Sequence, residues 1–191
     1  MPERQPAPKR ILAINLKFMG DLLIATAVFR SLRATYPDAH IAVLVRKGYE
    51  DALTGNPDID EIITFDRTRA RGERGLARLE RENAMLKSLR KVRADAVYCM
   101  HAGDRLCVWA WASGARIRIG PARQPLGLLL NRRVPVRSAH LDNRDYLDYY
   151  YALAGPLGLR ELTRKRMGTG SRGPWSTASP VSGSSVRTRG V

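Results

Sequence analysis

No acidic residue follows Glu161 in this chain of 191 residues, although 18 aspartates and glutamates lie at or before that position. Arg164, Lys165, Arg166, Arg172, Arg187 and Arg189 stand beyond it, among glycine, serine, threonine and proline. Such a stretch buries too little apolar surface to offset chain entropy, so 163–191 is expected to be a disordered basic tail. The break in composition is abrupt enough to fit an out-of-frame or truncated end of the gene. Cysteine is scarce: Cys99 and Cys107 exclude a disulfide framework and fit a reducing compartment. No apolar run approaches the ~20 residues of a membrane-spanning helix. Met1–Lys9 lacks the apolar stretch of a signal peptide, so a soluble, cytoplasmic protein is expected. Neither G-x-G-x-x-G nor a Walker A loop occurs, which argues against a nicotinamide enzyme or a P-loop ATPase. His40, His101 and His140 have no metal-ligand spacing, nor do the two cysteines, and neither metal nor cofactor is expected.

What the chain does have is a periodic body. Hydrophobic residues make up 44% of it, enough to build a core, while 33 Lys and Arg against 18 acids give a net charge of +15. Arg10–Leu16 reads as a strand buried on both faces. Lys17-Phe18-Met19-Gly20 is a loop, and Asp21 is placed as the N-cap of a helix carrying Leu22, Ala25, Phe29, Leu32 and Tyr36 at helical spacing. Further strands are expected at His40–Val45, Glu61–Phe65, Asp95–Met100 and Arg116–Ile119. Leu76, Leu79, Leu86 and Leu89 make the stripe of a helix between Gly75 and Arg93. Asp104 is placed as the cap of another, and a last helix runs from about Asp142 to Leu157. Alternating strands and helices predict an α/β fold, a Rossmann-like doubly wound parallel sheet, over 9–162 after a flexible stretch at 1–8. Its ligands should lie beyond the carboxyl ends of the strands, where Lys17–Asp21 and His101–Arg105 fall.

Two features of that body carry candidate chemistry. Asp21 at a strand's carboxyl end would serve as a general base toward a substrate hydroxyl, or merely cap its helix at a worth of about 1 kcal/mol. Arg67, Arg69, Arg71 and Arg74 cluster after the third strand, as a solvated loop or as a clamp for phosphate and carboxylate groups. Asp142, Asp145 and Asp148 are read as complementing a helix dipole. Tyr149-Tyr150-Tyr151 is read as core plus rim.

Ile14 through Asp38, with its Lys-Phe-Met-Gly-Asp loop, Leu/Thr-rich helix and Tyr36-Pro37-Asp38, resembles the opening of the lipopolysaccharide heptosyltransferases. Gly55-Asn-Pro-Asp-Ile-Asp60, Ser113-Gly-Ala-Arg116 with Ile119-Gly120, and His140 resemble later landmarks of that family in order. The resemblance covers roughly 9–160 and is nearest to the members that add the third heptose. It implies the N-terminal half of a GT-B glycosyltransferase, the half that binds the lipopolysaccharide core acceptor, with Asp21 as general base. Arg67, Arg69 and Arg71 fall on the family's phosphate-contacting loop and Arg123 on a later family arginine. Lys17, Gly20 and Asp104, at the strands' carboxyl ends, complete the expected acceptor contacts. Lys17-Phe18 stands where many members have Ser-Ser. No segment resembles the second domain that binds ADP-heptose, so a fragment without transferase activity is expected, working at the cytoplasmic face of the inner membrane.

A rival reading takes the positive charge at face value, as a non-catalytic module for nucleic acid or anionic membrane. Glu73, Glu80 and Glu82 are interspersed among the arginines of the long helix, which suits a mixed solvated face better, and nucleic acid is not expected as a partner.

Overall fold

A computed structural model of the chain describes residues 6–66, 75–136 and 143–159. Its six strands are β1 (Arg10–Asn15), β2 (His40–Arg46), β3 (Glu61–Phe65), β4 (Ala96–Cys99), β5 (Ile117–Pro121) and β6 (Arg132–Val134). They form one sheet in the order β3-β2-β1-β4-β5-β6, with every neighbouring pair parallel. The helices are α1 (Met19–Thr35), α2 (Gly75–Val92), α3 (Asp104–Ala112) and α4 (Asn143–Ala154). This is the expected doubly wound arrangement, in the strand order of a dinucleotide-binding fold.

The central strands are apolar without alternation because both faces are covered. Ile11 and Ala13 of β1, with Ile41, Val43 and Val45 of β2, pack against Leu22, Phe29 and Leu32 of α1 and Leu153 of α4. Leu12 and Ile14, with Leu44 and Val97, face the other way, toward Met85 and Leu89 of α2 and Leu106 and Trp109 of α3. The period of two along each strand thus feeds two cores. Full burial of a side chain such as Phe29 contributes about 1.5–3 kcal/mol.

Several elements differ from the sequence reading. Helix α1 starts at Met19, with Phe18 as its N-cap, so Asp21 is the third helical residue and not the cap. A phenylalanine side chain accepts no hydrogen bond. The Asp21 carboxylate reaches back to the Phe18 N–H at 3.3 Å, one half of a capping box. Asp104 likewise opens α3 from its first position, because Gly103 is the N-cap. Leu79, expected in the apolar stripe of α2, is exposed. Tyr149, Tyr150 and Tyr151 are all buried, so no rim remains among them. Strand β6 was not anticipated: two of its three residues are exposed arginines, and only edge pairing with β5 defines it. Gly120 of β5 is required by packing, since a Cβ there would meet Leu130 Cδ1 at 2.7 Å and Cys99 Cβ at 3.2 Å. Residues 163–191, Arg67, Arg69, Arg71, Arg74, His140 and Asp142 lie outside the described residues.

Candidate functional site

The strand order reverses direction between β1 and β4. The chain leaving β1 turns to α1 on one face of the sheet, and the chain leaving β4 turns to α3 on the other. Their divergence opens a crevice at the carboxyl edge, the position at which doubly wound sheets take their ligands. A cleft of about 370 Å³ occupies it, lined by Leu16, Lys17 and Phe18 after β1, Arg46 closing β2, and His101–Leu106 after β4. That volume suits a small ligand or one sugar of a larger one.

Backbone bonds fix both walls. The β1–β4 ladder continues with Met100 N–H donating to the Ile14 carbonyl at 3.0 Å. One step further the Leu16 N–H donates to His101 Nε2 at 3.1 Å. That nitrogen must therefore be unprotonated, which puts the ring proton on Nδ1, 3.0 Å from the Ala102 carbonyl. His101 is thus a structural pin in its neutral form. On the opposite wall Gly103 N–H donates to Gln124 Oε1 at 2.7 Å, and Leu126 N–H donates to Asp104 Oδ1 at 3.0 Å. Asp104 lines the cleft while holding the segment that contains Arg123. Arg123 itself is exposed and does not line the cleft.

The cleft is mainly cationic. Lys17 Nζ lies 5.2 Å from the centre of the Tyr146 ring, and the Arg46 guanidinium 5.5 Å from that of Tyr49. Arg105 packs over Phe65 and Trp109, at 5.2 and 5.7 Å, and pairs with Glu82 at 3.1 Å. The second Glu82 oxygen accepts the Trp109 indole N–H at 3.2 Å, so Arg105 is held from behind by α2. Position at a strand end would have flagged Arg46, but its sequence neighbours carry no motif.

Asp21 does not line this cleft; it is nine-tenths buried, and its carboxylate accepts the N–H of Phe18, which does line it, at 3.3 Å. Gly20 is exposed at the start of α1, and a Cβ there would meet nothing within 4 Å. The sequence placed Gly20 in a loop, whereas it is the second residue of α1, and neither backbone angle nor packing demands a glycine there. The surface over it is open to close approach by a ligand. Behind the loop, Asn15 is fully buried and its Oδ1 accepts Lys17 N–H at 3.2 Å. Burial pushes the Tyr149 hydroxyl up to about 12. Tyr150 is raised further by burial and then by the charge of Asp21. Cys99 and Cys107 are buried, and burial pushes the Cys107 thiol up to about 11, so both are unreactive at neutral pH. No cluster of three metal-ligating side chains occurs among the described residues, and no described helix is long and apolar enough to cross a membrane.

The fold and the placement of the cleft define an α/β protein of the Rossmann-like, ligand-at-the-switch-point class. Within that class, the chain is similar to lipopolysaccharide heptosyltransferase 3 of Escherichia coli, 23% identical over 150 residues that make up 78% of this chain and 43% of that protein. It is also similar to the lipopolysaccharide core heptosyltransferase OpsX of Haemophilus influenzae, 26% identical over 138 residues, 70% of this chain and 37% of that one. Among solved structures it superposes on the heptosyltransferase WaaC of E. coli solved with ADP, with a TM-score of 0.65 at 18% identity, covering 81% of this chain and 49% of that chain. No family model matches. The resemblance read from the residues is borne out, and the chain spans about two-fifths of the length of the curated relatives it matches.

Proposed function

We propose that this chain provides the acceptor-binding half of a heptosyl transfer cleft of lipopolysaccharide core biosynthesis. The observation that carries the reading is the convergence of Lys17, Arg46, Asp104 and Arg105 on one crevice at the switch point of the sheet, next to the start of α1 that carries Gly20 and Asp21. Asp21 would accept the proton of the acceptor hydroxyl as its oxygen bonds to the anomeric carbon of the sugar and ADP departs. Lys17, and Arg67, Arg69 and Arg71 from the connection after β3, would hold acidic groups of the core oligosaccharide, with Arg123 at the periphery. Gly20 lets the acceptor approach the helix start. ADP-heptose would be held by a second domain, as in a two-domain GT-B cleft, and this chain alone would not transfer the sugar. Positioning both substrates is worth about 7–11 kcal/mol of barrier, most of which half a cleft forgoes. The working location would be the cytoplasmic face of the inner membrane, where the excess of basic residues meets anionic lipid.

Calorimetric titration tests this directly. A phosphorylated core oligosaccharide should bind weakly, and ADP-heptose not at all. Tight binding of ADP-heptose would overturn the half-cleft reading, and failure of the oligosaccharide to bind would overturn the acceptor reading.

A further inference from the structure

Two arginines that no sequence motif marks come together at the cleft. Ala42 and Leu44 of β2 belong to the core under α2 and α3, so the period of two puts Arg46 on that same face of the sheet. The β2–β3 register sets Arg46 beside Phe65. Arg105, in the first turn of α3, lies over the Phe65 ring at 5.2 Å and the Trp109 ring at 5.7 Å. Those two rings meet edge to face with centres 4.8 Å apart, so Arg105 rests on a firm aromatic base. Arg46, Arg105 and Lys17 all line the one cleft.

The way these charges are held indicates what they take. Each is seated on an aromatic ring: Lys17 on Tyr146, and Arg46 on Tyr49, whose N–H donates back to the Arg46 carbonyl at 3.1 Å. A ring face orients a cation and leaves its N–H donors unspent, whereas a carboxylate uses them and cancels the charge. Lys17 and Arg46 form no ion pair with a carboxylate among the described residues. Arg105 gives one edge to Glu82 and keeps other N–H groups for a ligand. Lys47, next in the chain, shows the ordinary surface solution, a pair with Asp66 at 3.5 Å. Asp104 is the one acid among the lining residues, and it already accepts the Leu126 N–H. Three cations against one engaged carboxylate concentrate positive potential in a small crevice, and the arginine fork matches phosphate oxygens. Phe18 supplies the apolar wall. It is 72% exposed at a cap position that favours a side chain with an oxygen, so the fold gains little from its ring. That ring is left to lie against whatever the cleft holds.

We infer that the crevice is a phosphate-selective subsite for one sugar, its phosphate monoester held by Arg46 and Arg105 with Lys17 and its ring laid against Phe18. Assignment of that sugar to a core oligosaccharide rests on the acceptor reading. Selectivity for the phosphate does not, because it follows from how the three cations are seated.

The test titrates the full 191-residue chain with glucose 6-phosphate, glucose, glucuronate and inorganic phosphate, followed by amide chemical shifts. Glucose 6-phosphate should bind about tenfold more tightly than glucose or glucuronate, and several-fold more tightly than inorganic phosphate. Arg46→Gln should weaken it about tenfold at an unchanged unfolding midpoint, with Arg46→Lys as the second variant should the first not fold. Arg105→Lys, which keeps the charge and loses the fork, should weaken it several-fold. Phe18→Ser should bring glucose 6-phosphate down to the level of inorganic phosphate. Arg30, exposed on α1 and outside the cleft lining, is the control, and Arg30→Gln should change nothing. Equal losses in Arg30→Gln and Arg46→Gln would show a diffuse effect of net charge and overturn the subsite. Glucuronate bound as tightly as glucose 6-phosphate, or no binding of glucose 6-phosphate at all, would overturn it too. Binding of glucose 6-phosphate without binding of the phosphorylated core oligosaccharide would sink the acceptor reading and leave the subsite standing. An oligosaccharide bound equally well with and without its phosphates, and indifferent to Arg46→Gln, would do the reverse.

Discussion

Gly20 is the residue whose identity the chain itself does not explain. It lies in the first turn of α1 with empty space where a side chain would go, and its backbone is compatible with any residue. A Gly20→Ala substitution should therefore stabilise the fold by about 0.5–1 kcal/mol through the unfolded state, read as a higher urea midpoint. It should at the same time weaken binding of the core oligosaccharide several-fold. A stabilised variant with unchanged binding would remove Gly20 from the site. Asp21 makes the opposite case. Asp21→Asn keeps an oxygen for the Phe18 N–H and loses only the charge at the helix start, about 0.3–1 kcal/mol, so the variant should fold with a midpoint lowered by a few degrees at most. In a chain joined to a domain that binds ADP-heptose, as proposed above, the same change should remove most turnover. The residues 17–21 and 101–105 were legible in the sequence as strand-end positions. Asp21 was read as a cap because its residue type favours that position, whereas the cap is Phe18, a residue with no capping chemistry.

At the scale of elements, the buried strands β1 and β2 were legible because parallel strands under two helical layers must be apolar throughout. Strand β6 was not, since Arg132 and Arg133 are exposed at the sheet edge and only pairing with Ile119–Pro121 orders them. The join of β5 to its neighbours is tight at Gly120. Gly120→Ala should lower stability by about 1–3 kcal/mol in urea unfolding, because Cys99 Cβ cannot retreat even if the Leu130 side chain turns aside. A second join is electrostatic. Asp60, ahead of β3, accepts Ile41 N–H and the Arg33 guanidinium, each at 2.6 Å, tying α1, β2 and β3 together. Partial burial opposes its charge, but the Ile41 bond and then Arg33 prevail and hold its carboxyl below the usual aspartate value. A depressed folded-state pKa gives stability that is complete above the unfolded value of about 3.9 and is lost as pH falls through the folded one. Asp60→Asn should accordingly flatten the acid limb of the stability profile below about pH 4 and leave its shape at neutral pH alone.

For the molecule as a whole, the balance of surface matters more than any one contact. Six of the basic residues and no acid lie in 163–191, so removing that segment takes the net charge from +15 to +9. The two cores are built within residues 11–159, and deletion of 163–191 should shift the thermal midpoint by no more than a degree or two. A drop of many degrees would show that the segment packs. Apolar exposure sets the remaining expectation. Leu128 is 81% exposed, Trp111 58% and Leu126 42%, whereas Tyr149–Tyr151 are buried. Trp111, Leu126 and Leu128 belong to α3 and to the turn at Pro125–Leu129, which is stitched to the start of α3 through Asp104, while a second exposed apolar set, Phe18, Met19 and Leu23, lies at the start of α1. Apolar side chains grouped on one side of a small domain promote association, and the net positive charge opposes it until salt screens the repulsion. Sedimentation of the 191-residue chain should show weak self-association that grows with ionic strength. Leu126→Ser combined with Leu128→Ser should return it to a monomer without loss of stability, since neither side chain is in a core. A wild-type chain that stays monomeric at high salt and high concentration would show that this surface needs no cover, and would weaken the case that a second domain of a GT-B cleft ordinarily lies near it.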